Sequence, residues 1–201
     1  MPYSYSIMKR IASLVLAAAL TATMSGQSKP DWQAKREACV EALSSFSVDP
    51  SATQPPQLPN DLEGVTLEYF SSGCYGNCPA FKLRFEKNRA VWEGHAFVKK
   101  KGKAERKISD QLFGKLVRAW LNASMYAMRD DYCQPTCSDG TMMVVTDVQE
   151  TSIILSAPSY SKKVFECFTT IDRKPQTPKP PDQYFQLSRQ LREFAKSNHW
   201  L

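Results

Sequence analysis

Two short segments near the middle of the chain place an apolar side chain at every second position. These segments run from Val65 to Phe70 and from Phe81 to Phe85. A period of two is typical of a β-strand with one buried face. A third β-rich run follows at residues 90–98, and a short fourth one ends near Ile108. We therefore predict four strands joined by tight turns.

Three other segments repeat their apolar residues every three or four positions, which indicates one-faced helices. They are Ser28–Phe46, the stretch from Ser109 to about Asn122, and residues 182–196. Ser109 or Asp110 is expected to cap the second helix at its N-terminus.

Further strands are expected between the second and third helices. Met142–Val148 and Thr151–Leu155 resemble a hairpin, and another strand is expected near Lys163–Phe168. Runs of strands joined by tight turns favour antiparallel pairing. The predicted fold class is thus α+β: an antiparallel meander with helices packed on one face, stapled by disulfides.

The N-terminus has the layout of a secretory signal peptide. Lys9 and Arg10 precede an apolar run from Ile11 to Leu20, and small and polar residues lead from there to Gln27. The apolar run is shorter than the roughly 20 residues of a membrane span. We expect export to the periplasm or beyond the cell, and no transmembrane span in the mature chain.

The expected domain organisation follows from these segments and from a proline-rich stretch between the first helix and the first strand. It comprises a signal peptide at 1–26, an N-terminal helix at 27–46, a Pro/Ser-rich linker at 47–63 and a single α+β domain at 64–201.

Charge does not point to a nucleic-acid partner. The formal net charge of the full chain is +6, and loss of Lys9 and Arg10 with the signal peptide leaves +4. So mild an excess gives no electrostatic footprint for nucleic acid, and export lowers that expectation further. Oligomeric state is not encoded in any pattern of this kind.

Six cysteines remain after cleavage, and an even number in an exported chain predicts a disulfide framework. The candidates are Cys39, Cys74, Cys78, Cys133, Cys137 and Cys167. One arrangement has local pairs at Cys74–Cys78 and Cys133–Cys137, with Cys39–Cys167 as a long-range pair. Another cross-links the two cysteine loops, and the sequence leaves the choice open.

The stretch from Tyr69 to Phe85, YFSSGCYGNCPAFKLRF, resembles an uncharacterised family of bacterial exported domains, domain-of-unknown-function 6438. The similarity rests on a G-C-x-G-x-C-P loop at 73–79, a W-E-G hairpin at 92–94 and an expected strand led by Asp139. It extends over about 65–172. The resemblance implies the fold and the Cys74/Cys78 unit, makes the Cys133/Cys137 pair an addition, and supplies no mechanism.

Zinc binding, thiol–disulfide exchange and hydrolysis are alternative functions for some of these residues. The two C-x-x-x-C pairs admit a Cys₄ zinc site, and Cys74 admits thiol–disulfide chemistry, although such enzymes favour C-x-x-C before a helix. Hydrolysis would use His95 or the aspartates Asp130, Asp131 and Asp139, which are better explained by turns. We predict no catalytic residue, no metal site and no cofactor.

The remaining expectation is a non-enzymatic exported module that binds a protein or an envelope component, with an enzyme or a zinc-stabilised domain as alternatives. Tyr75, at the tip of a clipped loop, would be a rigid contact. The basic segment Lys99, Lys100, Lys101 and Lys103 would meet an acidic face, or would only solvate a hairpin.

Overall fold

The computed structural model describes residues 30–45, 54–134, 136–143, 146–167, 170–171, 174–175 and 177–201. The predicted signal peptide and residues 47–53 of the predicted linker lie outside the described residues. The chain divides into two compact units, 1–35 and 36–201, and the first helix crosses their boundary. The rest of the description concerns residues 36–201. Among the residues that the structure describes, no helix is both long and apolar enough to cross a membrane.

Helices and strands follow the predicted order through the first four strands. The helices are α1 (Asp31–Ser45), α2 (Asp110–Asn122) and α3 (Asp182–Ser197), with a 3₁₀ turn at Met125–Ala127. The strands are β1 (Thr66–Ser71), β2 (Ala80–Glu86), β3 (Arg89–Ala96), β4 (Gly102–Lys107), β5 (Thr151–Ala157), β6 (Tyr160–Glu166), β7 (Thr170–Ile171) and β8 (Lys174–Pro175). The Ser109 hydroxyl accepts a hydrogen bond from the backbone N–H of Leu112 at 3.1 Å, which confirms the expected N-cap of α2.

The main sheet has six strands in the order β4-β3-β2-β1-β5-β6, and each neighbouring pair is antiparallel. The meander β1 to β4 grows to one side of β1. After α2, the chain returns to add β5 and β6 on the other side. Strand β1 is therefore interior, hydrogen-bonded on both edges to β2 and β5.

The two faces of the sheet differ sharply in polarity. The alternating apolar residues Leu67, Tyr69, Phe81, Leu83, Phe85 and Trp92 are fully buried and share one core with residues of α2 and α3. The opposite face carries ion pairs, such as Lys82 with Glu68 at 2.8 Å. The α+β class with helices on one face is thus confirmed.

The predicted hairpin between Met142–Val148 and Thr151–Leu155 is wrong. β5 forms its hairpin with β6, where Ala157 faces Tyr160 across a two-residue turn, and its other edge pairs with β1. The described residues of 142–148 contain one isolated bridge, between Met142 and Thr136, and no strand. Strand β5, which contains the buried Ile153, pairs with β1 on one edge and with β6 on the other. In an isolated two-stranded hairpin it would have only one neighbouring strand.

Trp92 fixes the turn between β3 and β4 onto the core. Its indole is fully buried, stacks on Phe81 at 4.6 Å and on Trp200 at 5.7 Å, and donates a hydrogen bond to the Lys100 carbonyl at 2.8 Å. The Lys100 N–H in turn donates to the Trp200 carbonyl at 3.1 Å. The turn is therefore held from both β3 and the C-terminus.

Gly94 leaves the room that this turn needs. A Cβ at this position would lie 2.1 Å from the Lys100 carbonyl oxygen and 2.7 Å from the Trp92 indole nitrogen. We predict that Gly94→Ala lowers the free energy of unfolding by about 2 kcal/mol or more, because the turn must move away and the indole loses its acceptor. Urea unfolding without reductant measures the change.

Gly114→Ala in α2 is the matched control. Its new Cβ would meet only the end of the flexible Arg118 side chain, at 3.4 Å. Since alanine is the better helix former, this variant is expected to gain up to about 1 kcal/mol. Equal effects of the two substitutions would contradict the close packing assigned to Gly94.

Candidate functional site

All six cysteines form disulfides, as expected. Cys74 bonds Cys78, with Cα atoms 5.4 Å apart, which is the predicted local clip. The other two expected pairs, Cys133–Cys137 and Cys39–Cys167, are wrong, and so is cross-linking of the two cysteine loops. The structure pairs Cys133 with Cys167 and Cys39 with Cys137.

Backbone pairing explains why Cys133 meets Cys167. The segment 130–132 runs parallel to the end of β6: the Tyr132 N–H donates to the Phe165 carbonyl at 2.8 Å, and the Phe165 N–H donates to the Asp130 carbonyl at 2.9 Å. One and two residues later the two cysteines lie side by side, both fully buried. Cys137 is left to bond Cys39 of α1.

All six cysteines are bonded in disulfides, so none is present as a thiolate that could ligate zinc. Within the described ranges, no group of three His, Cys, Asp or Glu side chains is arranged to hold a metal ion.

The other candidates for chemistry have structural roles or lie apart. Asp131 accepts hydrogen bonds from the backbone of Cys133 and Gln134, and Asp139 accepts one from Thr141. These are turn-forming contacts, so the strand expected at Asp139 is a turn instead. His95 is an exposed residue near the end of β3.

Topology gathers the predicted binding segments at one end of the strands. Ser71 ends β1 and Ala80 begins β2, while Ala96 ends β3 and Gly102 begins β4. The β1–β2 loop and the β3–β4 turn therefore project from the same end, two strand spacings or about 10 Å apart. We call this end, formed by residues 72–79, 97–101 and 147–150, the loop end.

The Cys74–Cys78 loop is clamped at its base. The Gln149 side-chain amide donates to the Ser71 hydroxyl at 2.9 Å and to the Pro79 carbonyl at 3.1 Å. Ser72 and Glu150 exchange further bonds: the Ser72 N–H donates to the Glu150 carbonyl, and the Glu150 N–H donates to the Ser72 hydroxyl, both at 2.9 Å. Both ends of the loop are thus fixed in addition to its disulfide.

Two aromatic rings stand out from this fixed base. Tyr75 is 93% exposed and Phe97 is 56% exposed. Phe97 also has a φ of 53°, a left-handed conformation that is uncommon for a bulky residue and is found mostly where the surroundings enforce it. The sequence analysis did not identify Phe97 as a candidate. Its exposure depends on the left-handed backbone of the turn, which cannot be recognised from the spacing of apolar residues.

The structure separates the four predicted lysines. Lys99, Lys100 and Lys101 lie on the β3–β4 turn at the loop end, and no ion pair joins them to the described part of the chain. Lys103 lies in β4 opposite Glu93 and lines a shallow pocket on the polar face of the sheet. Lys103 is therefore not part of the loop end.

A cavity of about 410 Å³ opens beneath the Cys74–Cys78 loop. We call it the disulfide-loop cavity. Its walls come from β1, β5, β6, the 147–149 segment and α3. The lining residues are Tyr69, Cys74, Cys78, Asp147, Val148, Gln149, Thr151, Glu166, Phe185, Ser188 and Arg192.

Helix α3 carries a polar stripe, of which Ser188 and Arg192 line the cavity and Tyr184 is buried behind it. Tyr184, Ser188 and Arg192 are four residues apart and so share one face of the helix. The Ser188 hydroxyl donates to the Tyr69 hydroxyl at 3.2 Å. Polar residues at helical spacing beside the buried Leu187 and Leu191 are the signal in the sequence that could have marked this wall.

Thr151 links the stripe to a buried acid. Its hydroxyl donates to the Glu166 carboxylate at 2.5 Å and lies 2.9 Å from the Tyr184 hydroxyl. Because the Thr151 proton points to Glu166, the Tyr184 hydroxyl is the donor to Thr151. Glu166 is only 8% exposed. A hydrogen-bond chain thus runs from the buried Tyr184 through Thr151 to Glu166, and the last two line the cavity.

Both tyrosines are held neutral by their surroundings. Burial raises the pKa of Tyr184 well above its ordinary value of 10.0, and the negative charge of Glu166 raises it further. Burial also raises the pKa of Tyr69, while the Ser188 hydrogen bond and the Arg192 charge oppose that shift in part. Proton loss from Tyr184 would also remove the donor to Thr151.

A raised tyrosine pKa gives a stability that is complete below pH 10.0 and is lost as the pH rises further, because the unfolded chain then releases the proton first. We predict that the free energy of unfolding falls as the pH rises above 10.0 and keeps falling toward the raised pKa of Tyr184. Tyr184→Phe should flatten this decline, measured by urea unfolding at each pH.

Tyr75→Phe, at the exposed ring, is the control and should keep the wild-type decline. If Tyr184→Phe kept the wild-type slope as well, the hydrogen-bond chain from Tyr184 through Thr151 to Glu166 would be contradicted.

The chain matches a known protein-family model. The sequence model described as "Domain of unknown function (DUF6438)" matches residues 65–174, more than half of the chain. The matched segment contains the six-stranded sheet, α2 and the Cys74–Cys78 loop, and it ends before α3. A search of the curated proteins returned no match to the chain. With a family match of this extent over the sheet that carries the loop end, the chain belongs to the DUF6438 family.

Proposed function

We propose that this chain is an exported, non-enzymatic binding module that docks an acidic face of a protein partner onto the loop end. Tyr75 and Phe97 are the aromatic anchors, and Lys99, Lys100 and Lys101 supply the complementary charge. The partner's carboxylates would lie over the lysine turn.

Export is supported by the N-terminal pattern and by the disulfides. Lys9, Arg10 and the apolar run after them have the layout of a signal peptide. Three disulfides persist in oxidising compartments, such as the periplasm or the outside of the cell. We therefore infer that residues 1–26 are removed and that residues 27–201 fold after translocation, with the linker at 47–63 leading into the domain.

The observation that carries the proposed function is the exposure of Tyr75 on a loop whose two ends are held by a disulfide and by hydrogen bonds. Burying an aromatic ring against a partner releases water from a large apolar area. The loop that presents it is already ordered by a disulfide and by Gln149, so binding costs little conformational entropy. Rigid aromatic residues of this kind are common anchors of protein interfaces.

Charge at the same end favours an acidic partner. Three consecutive lysines are exposed, and Trp92 and Trp200 hold the backbone of their turn. Lysines that are not already paired attract a negatively charged surface over several ångströms and raise the rate of association. The left-handed backbone conformation of Phe97 places a second exposed aromatic ring on the same turn as these lysines.

Photo-crosslinking in the producing cell tests this function. A benzophenone amino acid replaces Tyr75, and the same amino acid replaces Lys107 as the control. Lys107 is exposed in β4 at the opposite end of the strands. We expect a discrete crosslinked protein from position 75 and none from position 107.

Charge reversal of Lys99, Lys100 and Lys101 to Glu should reduce the crosslinked product at least tenfold, since three attractive contacts become repulsive. Reversal of Lys103 alone should leave it unchanged. The same product from positions 75 and 107, or a product insensitive to the triple reversal, would contradict docking at the loop end.

A further inference from the structure

We propose that the disulfide-loop cavity binds the carboxylate of an α-amino acid unit, either a free amino acid or the C-terminal residue of a peptide, through Arg192. This site is separate from the exposed rings of the loop end, so its occupancy does not require the partner proposed above.

Among the described lining residues, Arg192 is the cation. Its guanidinium makes no hydrogen bond or ion pair with the described residues, although its charge acts on Tyr69. Side chains on a helix lean toward its N-terminus, which directs Arg192 back along the stripe toward Ser188. Arg192 is half-buried as a residue, and a guanidinium offers two parallel N–H groups, the geometry that matches a carboxylate.

The acids in the wall narrow the ligand class. Glu166 and Asp147 line the same cavity as Arg192. A dianion such as phosphate would lie close to these two carboxylates, and the repulsion disfavours it. A ligand with one carboxylate and an N–H group on the adjacent carbon can instead give its carboxylate to Arg192 and its N–H to an acid. That pairing of groups defines an α-amino acid unit.

The rest of the lining suits an apolar side chain. Phe185, Val148 and the Cys74–Cys78 disulfide contribute apolar or weakly polar surface. Cavities with apolar walls and a few converging polar groups are typical small-ligand sites, and the volume of about 410 Å³ lies in their usual range. Leucine and its derivatives are thus suitable probes.

The test is a titration of isotope-labelled protein, residues 27–201 with disulfides intact, followed by two-dimensional NMR. The probes are leucine, N-acetyl-leucine and N-acetyl-leucinamide, which lacks the carboxylate. We expect shifts in the 147–149 segment and around Ser188, and affinity for the amide lower by roughly ten- to a hundredfold. Tighter binding of leucine identifies a free amino acid as the ligand, whereas tighter binding of N-acetyl-leucine identifies a peptide terminus.

Arg192→Gln should lower the affinity for the carboxylate probes to that for the amide. Arg189→Gln, one turn earlier on the exposed face of α3, is the matched control and should bind as the wild type does. Tyr75→Ala should also leave this binding unchanged, so that failure here and failure of loop-end docking are told apart. Equal affinity for the acid and the amide, or Arg192→Gln binding like the wild type, would overturn the inference.

Discussion

The buried indole of Trp92 is the contact on which the loop end of the molecule depends. It stacks between Phe81 of β2 and Trp200 of the C-terminus, and its N–H holds the Lys100 carbonyl. One side chain thereby joins the sheet core, the tail after α3 and the lysine turn. Gly94 makes this possible, because any Cβ there would occupy the space of the Lys100 carbonyl. The turn that carries the lysines is thus held against the core by these contacts and does not form an isolated hairpin.

The Cys74–Cys78 loop serves two surfaces at once. Its outer side presents Tyr75, and its sulfur atoms line the cavity beneath. The family match covers the loop and the sheet but ends before α3, which supplies Ser188 and Arg192. The loop end therefore lies within the shared domain of the family, whereas the cation of the cavity comes from the C-terminal helix outside the matched segment.

Local patterns in the sequence predict local structure well here and long-range pairing poorly. Period-two runs locate β1 and β2, and the Ser109 cap locates α2, because each depends on neighbours a few residues away. The partner of β5 and the bonding of Cys133 depend on which segments meet after the chain crosses the sheet. Met142–Val148 has a β-rich composition, yet β5 gains more by lying between β1 and β6. The cavity was missed for the same reason: Thr151, Glu166 and Ser188 come from three elements that only the fold brings together.

Non-reducing peptide mapping with the intact mass of the protein recovered from producing cells tests the central claim, an exported module whose loop end is stapled. Our account predicts a mature chain without residues 1–26, no uptake of a thiol-alkylating reagent, and one tryptic cluster joining peptides 37–82, 130–162 and 164–173 through Cys39–Cys137 and Cys133–Cys167. Retention of the N-terminus, free thiols, or an unlinked 130–162 peptide closed by Cys133–Cys137 would contradict it.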